Sequence, residues 1–158
     1  LGASVTQGIA LGADLPVIPI STLASLAHTA MRLQGADQVL SAIDARMGEV
    51  YYASFQGSSA DNLICIGEEK LSAPESIDLP EPQAVMAQWT GIGSGWDTYH
   101  QQFLQRSEIV TGSLAFEWLK DKFPNALDIA LLAKIQFANG KMLTPEEALP
   151  VYIRDKIV

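Results

Sequence analysis

The middle of the chain carries two strand-like segments joined by a tight turn, and this pair constrains the fold more than any other feature. Residues 38–47 and 48–55 are rich in β-branched and aromatic side chains, and they meet at Met47-Gly48, which is typical of a hairpin. A third segment of this kind, residues 62–73, extends the set. We therefore expect antiparallel strands in the middle of the chain.

Helical patterns flank this hairpin. Residues 23–35 place apolar side chains at helical spacing, behind a Ser-Thr N-cap pair and before a C-cap at Gly35. Residues 125–140 form the clearest helix, between a capping Asn125 and a closing Gly140. Its expected apolar stripe consists of Leu127, Ile129, Ala130, Leu132, Ala133, Ile135 and Phe137.

The other segments predict shorter elements. We expect a brief buried strand at 17–20, a loop with one helical turn at 74–82, a strand at 83–93, a helix at 96–107, a strand at 108–113 and an extended tail at 147–158. Strands and helices thus alternate around a central hairpin. This pattern favours an α/β fold with a mixed sheet and flanking helices.

The chain opens on what reads as the second half of a helix. Residues 1–11 combine apolar with small side chains, Gly12 follows as a helix stop, and no N-cap residue precedes them. We expect a fragment or processed form whose helix began earlier. The alternative is a natural start from which the initiator Met has been removed.

Charge and cysteine content exclude several classes of function. The chain has 158 residues, with 10 Lys and Arg against 18 Asp and Glu, which gives a net charge of -8. One globular domain is expected, and a principal nucleic-acid-binding role is not. Because Cys65 is the only cysteine, neither an internal disulfide nor a thiolate metal site is expected, which fits a reducing cytosol. No apolar run has the length of a membrane span.

Nucleophiles and metal ligands do not occur in a catalytic spacing. His28 and His100 lie in different predicted helices, and His28 is interpreted as a packed or surface histidine. Cys65 lies in a predicted buried strand, where a thiol is inert. Ser94 lacks the preceding glycine of a nucleophile elbow and is interpreted as a turn serine. No metal site is predicted.

A glycine turn leaves a phosphate-binding role open. Gly91, Gly93 and Gly95 lie between a predicted strand and a predicted helix, where backbone N–H groups can approach an anion. Their spacing is neither the dinucleotide fingerprint nor a Walker loop. A structural tight turn is therefore the stronger interpretation, with a remnant of a nucleotide site as the alternative.

Charged residues surround the hairpin turn. Asp44, Arg46 and Glu49 lie around Gly48 in a chain otherwise poor in Arg. We interpret them as an ion-pair cluster that fixes the turn, and a small polar recognition site is the alternative.

Four segments together resemble one family. LGASVTQGIALGADLPVIPISTL, AIDARMGEVYYASF, GIGSGW and LPVYIR occur in the order and spacing found in the TsaB (YeaZ) family of bacterial tRNA threonylcarbamoyladenosine biosynthesis proteins. The resemblance covers nearly the whole chain, and IDARMGEVY is its specific motif. It implies a ribonuclease-H-like lobe of the actin, sugar kinase and Hsp70 superfamily. It also implies that residues 1–20 are the remnant of a preceding lobe and that residues 21–158 are the C-terminal lobe.

The resemblance further implies a role without catalysis. Such proteins pair with the transferase subunit TsaD, which holds nucleotide and metal, and the ATPase TsaE joins them. The complex transfers a threonylcarbamoyl group to the adenosine beside the anticodon. On this expectation the chain binds no cofactor itself, ATP and metal belong to partner subunits, tRNA is met only through the complex, and the protein is cytoplasmic with no membrane partner.

Pairing in the family uses helices of the first lobe. Gly2, Ala3, Thr6 and Gly8 are therefore expected at a partner interface, with packing against the preceding lobe as the alternative. A homodimer through the same exposed helix is a further expectation. Two other functions stay open: a glycoprotease-like peptidase, against which the lack of a protease constellation argues, and an ATPase that uses the glycine turn.

Overall fold

The structure is a computed structural model that describes residues 1–79, 88–111 and 115–154. Within these residues, helices and strands alternate around one sheet. The helices are α1 (Gly2–Ala13), α2 (Thr22–Gln34), α3 (Ser94–Thr111) and α4 (Ala126–Ala138), and the strands are β1 (Gln38–Arg46), β2 (Glu49–Gln56), β3 (Ile64–Ser72), β4 (Gln88–Ile92) and β5 (Ala115–Leu119). Every helix predicted after residue 20 is present.

The sheet is mixed, with the strand order β3-β2-β1-β4-β5. β2 pairs antiparallel with both β1 and β3, whereas β4 pairs parallel with both β1 and β5. The hairpin and its third strand thus form the antiparallel part, and α3 crosses over between the parallel strands β4 and β5. The predicted α/β class with a mixed sheet and flanking helices is confirmed.

Helices pack on both faces of the sheet, as the alternation along β1 shows. Val39 belongs to the apolar cluster under α2, and Leu40 and Ala42 belong to the cluster under α3. Trp96 of α3 is fully buried and donates from Nε1 to the carbonyl of Leu40 at 2.8 Å. Because both faces are buried, a slip of one residue in β1 would exchange the two sets of side chains.

A two-residue turn joins β1 to β2. Met47 has φ 58° and Gly48 has φ 75°, and positive values at both positions are what a type I′ turn requires. Such a turn matches the right-handed twist of its strands. The hairpin predicted at Met47-Gly48 is confirmed.

Two predicted strands are wrong. At 17–20, Val17 makes only an isolated bridge with Leu143, and Pro19 has no N–H with which to continue the pairing. Residues 108–111 continue α3, because adding residues to an existing helix costs less than starting a new element. Residues 112–113 lie outside the described residues. The strand in this part of the chain is β5, which the sequence analysis does not predict.

The predicted ends of several other elements need adjustment. α1 runs through Gly12 to Ala13, and its C-cap Asp14 adopts a left-handed φ of 53° and donates its N–H to the carbonyls of Ala10 and Leu11. The helical turn expected in the loop after β3 is a 3-10 turn at Pro74–Ser76. The strand predicted at 83–93 is present from Gln88, and its first residues lie outside the described part of the chain.

Two predictions of burial are wrong. α4 buries only Asp128 and Leu132 among its residues, and Leu127 and Phe137 are each 56% exposed. The reason is that α4 lies mainly against α2 rather than on the sheet, so most of its apolar surface has no core to face. Cys65 is exposed, because β3 is an edge strand.

Candidate functional sites

Helix α1 turns most of its surface away from the rest of the chain. The large apolar side chains of this helix and of its N-cap Leu1 are 53% to 103% exposed; those in the helix are Val5, Ile9 and Leu11. The side that faces the rest of the chain carries Ala3, Gln7 and Ala10, whose spacing places them on one stripe. Gln7 Nε2 donates to the carbonyl of Pro145 at 3.0 Å, and Ala10 is 6% exposed. The opposite face of α1 is therefore an open apolar surface.

The structure places three of the four predicted interface residues on this open side. Gly2, Thr6 and Gly8 are exposed, whereas Ala3 is half-buried on the inward stripe. A Cβ atom placed on Gly2 or Gly8 would have nothing within 4 Å. The Thr6 hydroxyl donates to the Gly2 carbonyl at 3.0 Å, so it is used within the helix. A second helix can approach this side closely.

The hairpin turn holds part of the predicted ion-pair cluster. Asp44 Oδ1 accepts from the backbone N–H of Arg46 at 2.8 Å, and the Arg46 guanidinium lies 3.5 Å from Asp44 Oδ2. The Arg46 side chain is 87% exposed, so this ion pair stabilises the turn little. Glu49 takes no part in it and has a different partner.

That partner is Arg154, in the C-terminal motif of the resemblance. Arg154 Nη2 donates to Glu49 Oε2 at 2.7 Å and to the carbonyl of Ala45 at 3.2 Å, and its side chain is 14% exposed. Two motifs that lie more than a hundred residues apart in the sequence therefore meet at the hairpin turn. This contact is not predictable from the sequence, because no local spacing indicates a pairing of this range.

The glycine turn is shaped by packing. A Cβ on Gly91 would lie 2.3 Å from the Trp96 ring, and one on Gly95 would lie 2.9 Å from Ala42 Cβ. Gly93 has φ 104°, and a Cβ there would lie 2.4 Å from the carbonyl oxygen of Ala42. These approaches account for all three glycines without a ligand. Contact of this turn with a nucleotide stays a prediction.

Ser94 links the glycine turn to the hairpin strand. Its Oγ accepts from the backbone N–H of Asp44 at 3.1 Å, at the first residue of α3.

Across the described residues, no group of three or more His, Cys, Asp and Glu side chains could hold a metal ion. In the same part of the chain, no helix has the length and apolar character needed to cross a membrane.

A buried polar cluster that was not predicted from the sequence joins α2 to α4. Its centre is Asp128, which is 0% exposed although it lies in the first turn of a largely apolar helix. The side chains that donate to its carboxylate are His28 through Nδ1 at 2.5 Å, Thr29 through Oγ1 at 2.6 Å, Arg32 through Nε at 2.9 Å and Nη2 at 3.0 Å, and Asn125 through Nδ2 at 2.6 Å. Of the two interpretations of His28, packed or surface, the structure shows the packed one, at 1% exposure. The spacing of His28, Thr29 and Arg32 along one face of α2 was the available indication.

The cluster keeps the carboxylate ionised. Burial by itself raises the pKa of Asp128, but the hydrogen bonds that the carboxylate accepts outweigh burial and hold its pKa well below the usual range. The backbone N–H of Asp128 is also bonded, to Asn125 Oδ1 at 3.0 Å, which makes Asn125 the N-cap of α4. A buried charge with this many donors is a connection between two helices, and it is inaccessible to a substrate.

Comparison with known sequences identifies a family. Residues 1–137 match the family model described as "TsaD: tRNA N6-adenosine threonylcarbamoyltransferase". Over 99% of its length, the chain is 36% identical to the tRNA threonylcarbamoyladenosine biosynthesis protein TsaB of Escherichia coli (strain K12) and 33% identical to the protein of that name from Haemophilus influenzae. It covers 65% and 64% of these proteins, so it spans just under two thirds of their length.

Two solved structures from Pseudomonas aeruginosa share the fold. One, described as an uncharacterized protein with similarity to peptidase YEAZ, is 36% identical with a TM-score of 0.82, over 97% of this chain and 66% of the other. The second, YeaZ, is 37% identical with a TM-score of 0.79, over 95% and 64%. The predicted resemblance and the ribonuclease-H-like fold class are thereby confirmed. The chain belongs to the family of the tRNA N6-adenosine threonylcarbamoyltransferase TsaD, and its relatives there bear the names TsaB and YeaZ.

Proposed function

We propose that this chain acts in the biosynthesis of threonylcarbamoyladenosine in tRNA. The single observation that carries the proposal is the alignment of 99% of the chain, at 36% and 33% identity, with proteins named for that pathway. The shared fold with a solved structure at 36% identity supports the same role. The four segments of the resemblance are also spread along the whole chain, so the similarity is not confined to one part of it.

The role is that of a non-catalytic scaffold subunit. The buried His28–Asp128 pair supports this assignment, since a hydrolytic His–Asp pair must reach its substrate and these side chains are 1% and 0% exposed. The glycine turn supports it too, because packing against Trp96 and Ala42 occupies the space beside the glycines. In this proposal ATP and metal are held by partner subunits, and this chain binds no cofactor.

The partners are TsaD, with which the chain forms a heterodimer, and TsaE, which the pair recruits. The open side of α1, with Gly2, Thr6 and Gly8 beside the exposed Val5 and Ile9, is the contact surface for TsaD. Ala3 belongs to the inward side and supports the helix from behind. The net charge of -8 favours contact with tRNA through the complex rather than directly.

We further propose that residues 1–20 belong with a preceding lobe and that residues 21–158 are the C-terminal lobe. The support is local: α1 has few contacts with the sheet, and Val17 joins the lobe only through its bridge to Leu143. A preceding lobe and TsaD would then share the exposed surface of α1. The chain is proposed to work in the cytoplasm, where tRNA is modified.

Binding to TsaD tests this assignment. Ile9→Asp places a charge on the open side of α1. Leu127→Asp is the matched control, because Ile9 and Leu127 are both aliphatic helix residues with exposed side chains, at 65% and 56% exposure respectively. We expect isothermal titration calorimetry to detect binding of the unmodified chain to TsaD, with a Kd at least tenfold weaker for Ile9→Asp and within twofold for the control. Absence of binding by the unmodified chain, or equal affinity of all three, would contradict the proposal.

A further inference from the structure

Helix α4 has an unusual balance of contacts for an apolar helix. Of its thirteen residues only Asp128 and Leu132 are buried, and it packs mainly against α2. A helix docked by the hydrophobic effect buries an apolar stripe. α4 instead leaves Leu127 and Phe137 more than half exposed and buries a carboxylate.

The side chains that donate to that carboxylate lie on α2 and at the N-cap of α4. Three of its donors, His28, Thr29 and Arg32, are on α2, and the fourth, Asn125, is the N-cap of α4 itself. Asn125 Nδ2 also lies 3.2 Å from Thr29 Oγ1, so the cap and the helix interface form one network. Loss of the carboxylate would leave buried donors without an acceptor, and such a loss is costly.

The segment after α4 is attached at few points. Leu143 exchanges both backbone hydrogen bonds with Val17 at 2.9 Å, the carbonyl of Pro145 accepts from Gln7 at 3.0 Å, and Arg154 reaches the hairpin turn. Between these points Leu149, Val151 and Tyr152 are 69% to 88% exposed. Within residues 125–154 the buried apolar side chains are those of Leu132 and Ala148, so apolar packing contributes less than the polar contacts to holding this segment in place.

We propose that the Asp128 cluster is a polar latch, and that α4 detaches from α2 as a unit while the five-stranded sheet stays folded. The latch closes when His28, Thr29, Arg32 and Asn125 all donate to one ionised carboxylate. Opening it removes the main specific contact of α4 with the rest of the chain. The chain then has two parts that differ in stability: the sheet with α2 and α3, and a less stable C-terminal segment that begins at Asn125.

Native-state hydrogen exchange of the whole chain tests the latch. In Asp128→Asn, amides of α4 are expected to exchange on the order of 100-fold faster, whereas amides of β1 change less than threefold. Asp61→Asn is the matched control, because it removes one exposed carboxylate outside the cluster and should leave both sets unchanged. An equal rise in α4 and β1, or no rise in α4, would overturn the proposal.

Two further measurements keep the test open if Asp128→Asn fails to fold. Thr29→Val removes one donor and keeps the charge, and a selective rise of about tenfold in α4 is expected. In the unmodified chain, exchange of α4 amides should depend weakly on urea, as a local opening does, while β1 amides show the full slope of global unfolding. The same steep slope at both places would contradict a separate C-terminal unit.

Discussion

Replacing Gly91 by Ala should destabilise the protein through one contact. The added Cβ would lie 2.3 Å from Trp96 Cε2 and 2.4 Å from Cδ2, distances at which the ring must move. Trp96 is 0% exposed and donates to the Leu40 carbonyl at 2.8 Å, so the ring has no free volume to enter without losing that bond. The backbone at Gly91 does not have a positive φ, so the effect isolates the steric clash.

The magnitude follows from two contributions. Overpacking of a buried site costs about 1–3 kcal/mol, and weakening of the Trp96 hydrogen bond costs about 1 kcal/mol more. We expect the free energy of unfolding to fall by about 2–4 kcal/mol. With a urea m-value of about 2 kcal/mol/M, the midpoint should fall by about 1–2 M.

The assay is urea unfolding followed by far-ultraviolet circular dichroism, with two further variants. Gly8→Ala is the matched control, because nothing lies within 4 Å of its added Cβ and a helical Gly→Ala change costs no stability. Combining Gly91→Ala with Trp96→Phe should recover about 1 kcal/mol relative to the sum of the single changes, since the smaller ring vacates the clashing space. A Gly91→Ala midpoint within 0.2 M of the unmodified chain, a shift of ~0.4 kcal/mol on this m-value, would refute the packing account of the glycine turn.

Three other outcomes are expected. Arg154→Ala should lower the free energy of unfolding by about 1 kcal/mol through loss of the Glu49 and backbone contacts, whereas Arg46→Ala should change it by less than about 0.5 kcal/mol; equal urea midpoints for the two would contradict the different burial of these side chains. The pKa of Asp128 is lowered on folding, so its contribution to stability is present above the unfolded value of 3.8 and is lost as the pH falls below that value towards the lower folded pKa; the difference in midpoint between the unmodified chain and Asp128→Asn should therefore shrink progressively as the pH is lowered from about 5 to about 2, and a constant difference would show that ionisation is not involved. Partial desolvation of its sulfur raises the pKa of the Cys65 thiol, and the negative charge of Glu69 adds to the rise, so alkylation by iodoacetamide at pH 8 should be slower than that of a free thiol, and an equal rate would contradict this shift.

Local patterns in the sequence predict most of the regular structure. The hairpin follows from two β-branched segments and a Met-Gly pair, and α2 follows from its caps at Ser21 and Gly35, both of which the structure contains. β5 is missed because its parallel partner β4 is distant in the sequence and its own five residues carry no alternation. The predicted strand at 17–20 fails for a related reason: β-branched composition favours a strand, but pairing needs a neighbour with free backbone groups.

The contacts that organise the candidate sites are harder to predict. Asp128 reads as a polar residue at the start of a helix, where a cap role is the ordinary interpretation, and its burial depends on α2 lying beside α4. The pairing of Arg154 with Glu49 likewise depends on where the C-terminal segment runs. Long-range polar contacts produce no periodic pattern in a sequence, so they cannot be predicted from it. A resemblance spread over four segments can still identify the family before any contact is known.

The most direct test of the account is the formation of threonylcarbamoyladenosine on tRNA in a reconstituted mixture. TsaD, TsaE, the enzyme that supplies the threonylcarbamoyl adenylate and tRNA are combined with and without this chain, and the modified nucleoside is quantified by mass spectrometry. We expect the modified nucleoside only when the chain and TsaD are both present, with Ile9→Asp reducing its yield and Leu127→Asp matching the unmodified chain. Modification by the chain in the absence of TsaD, or a yield with TsaD that the chain does not change, would contradict a scaffold function.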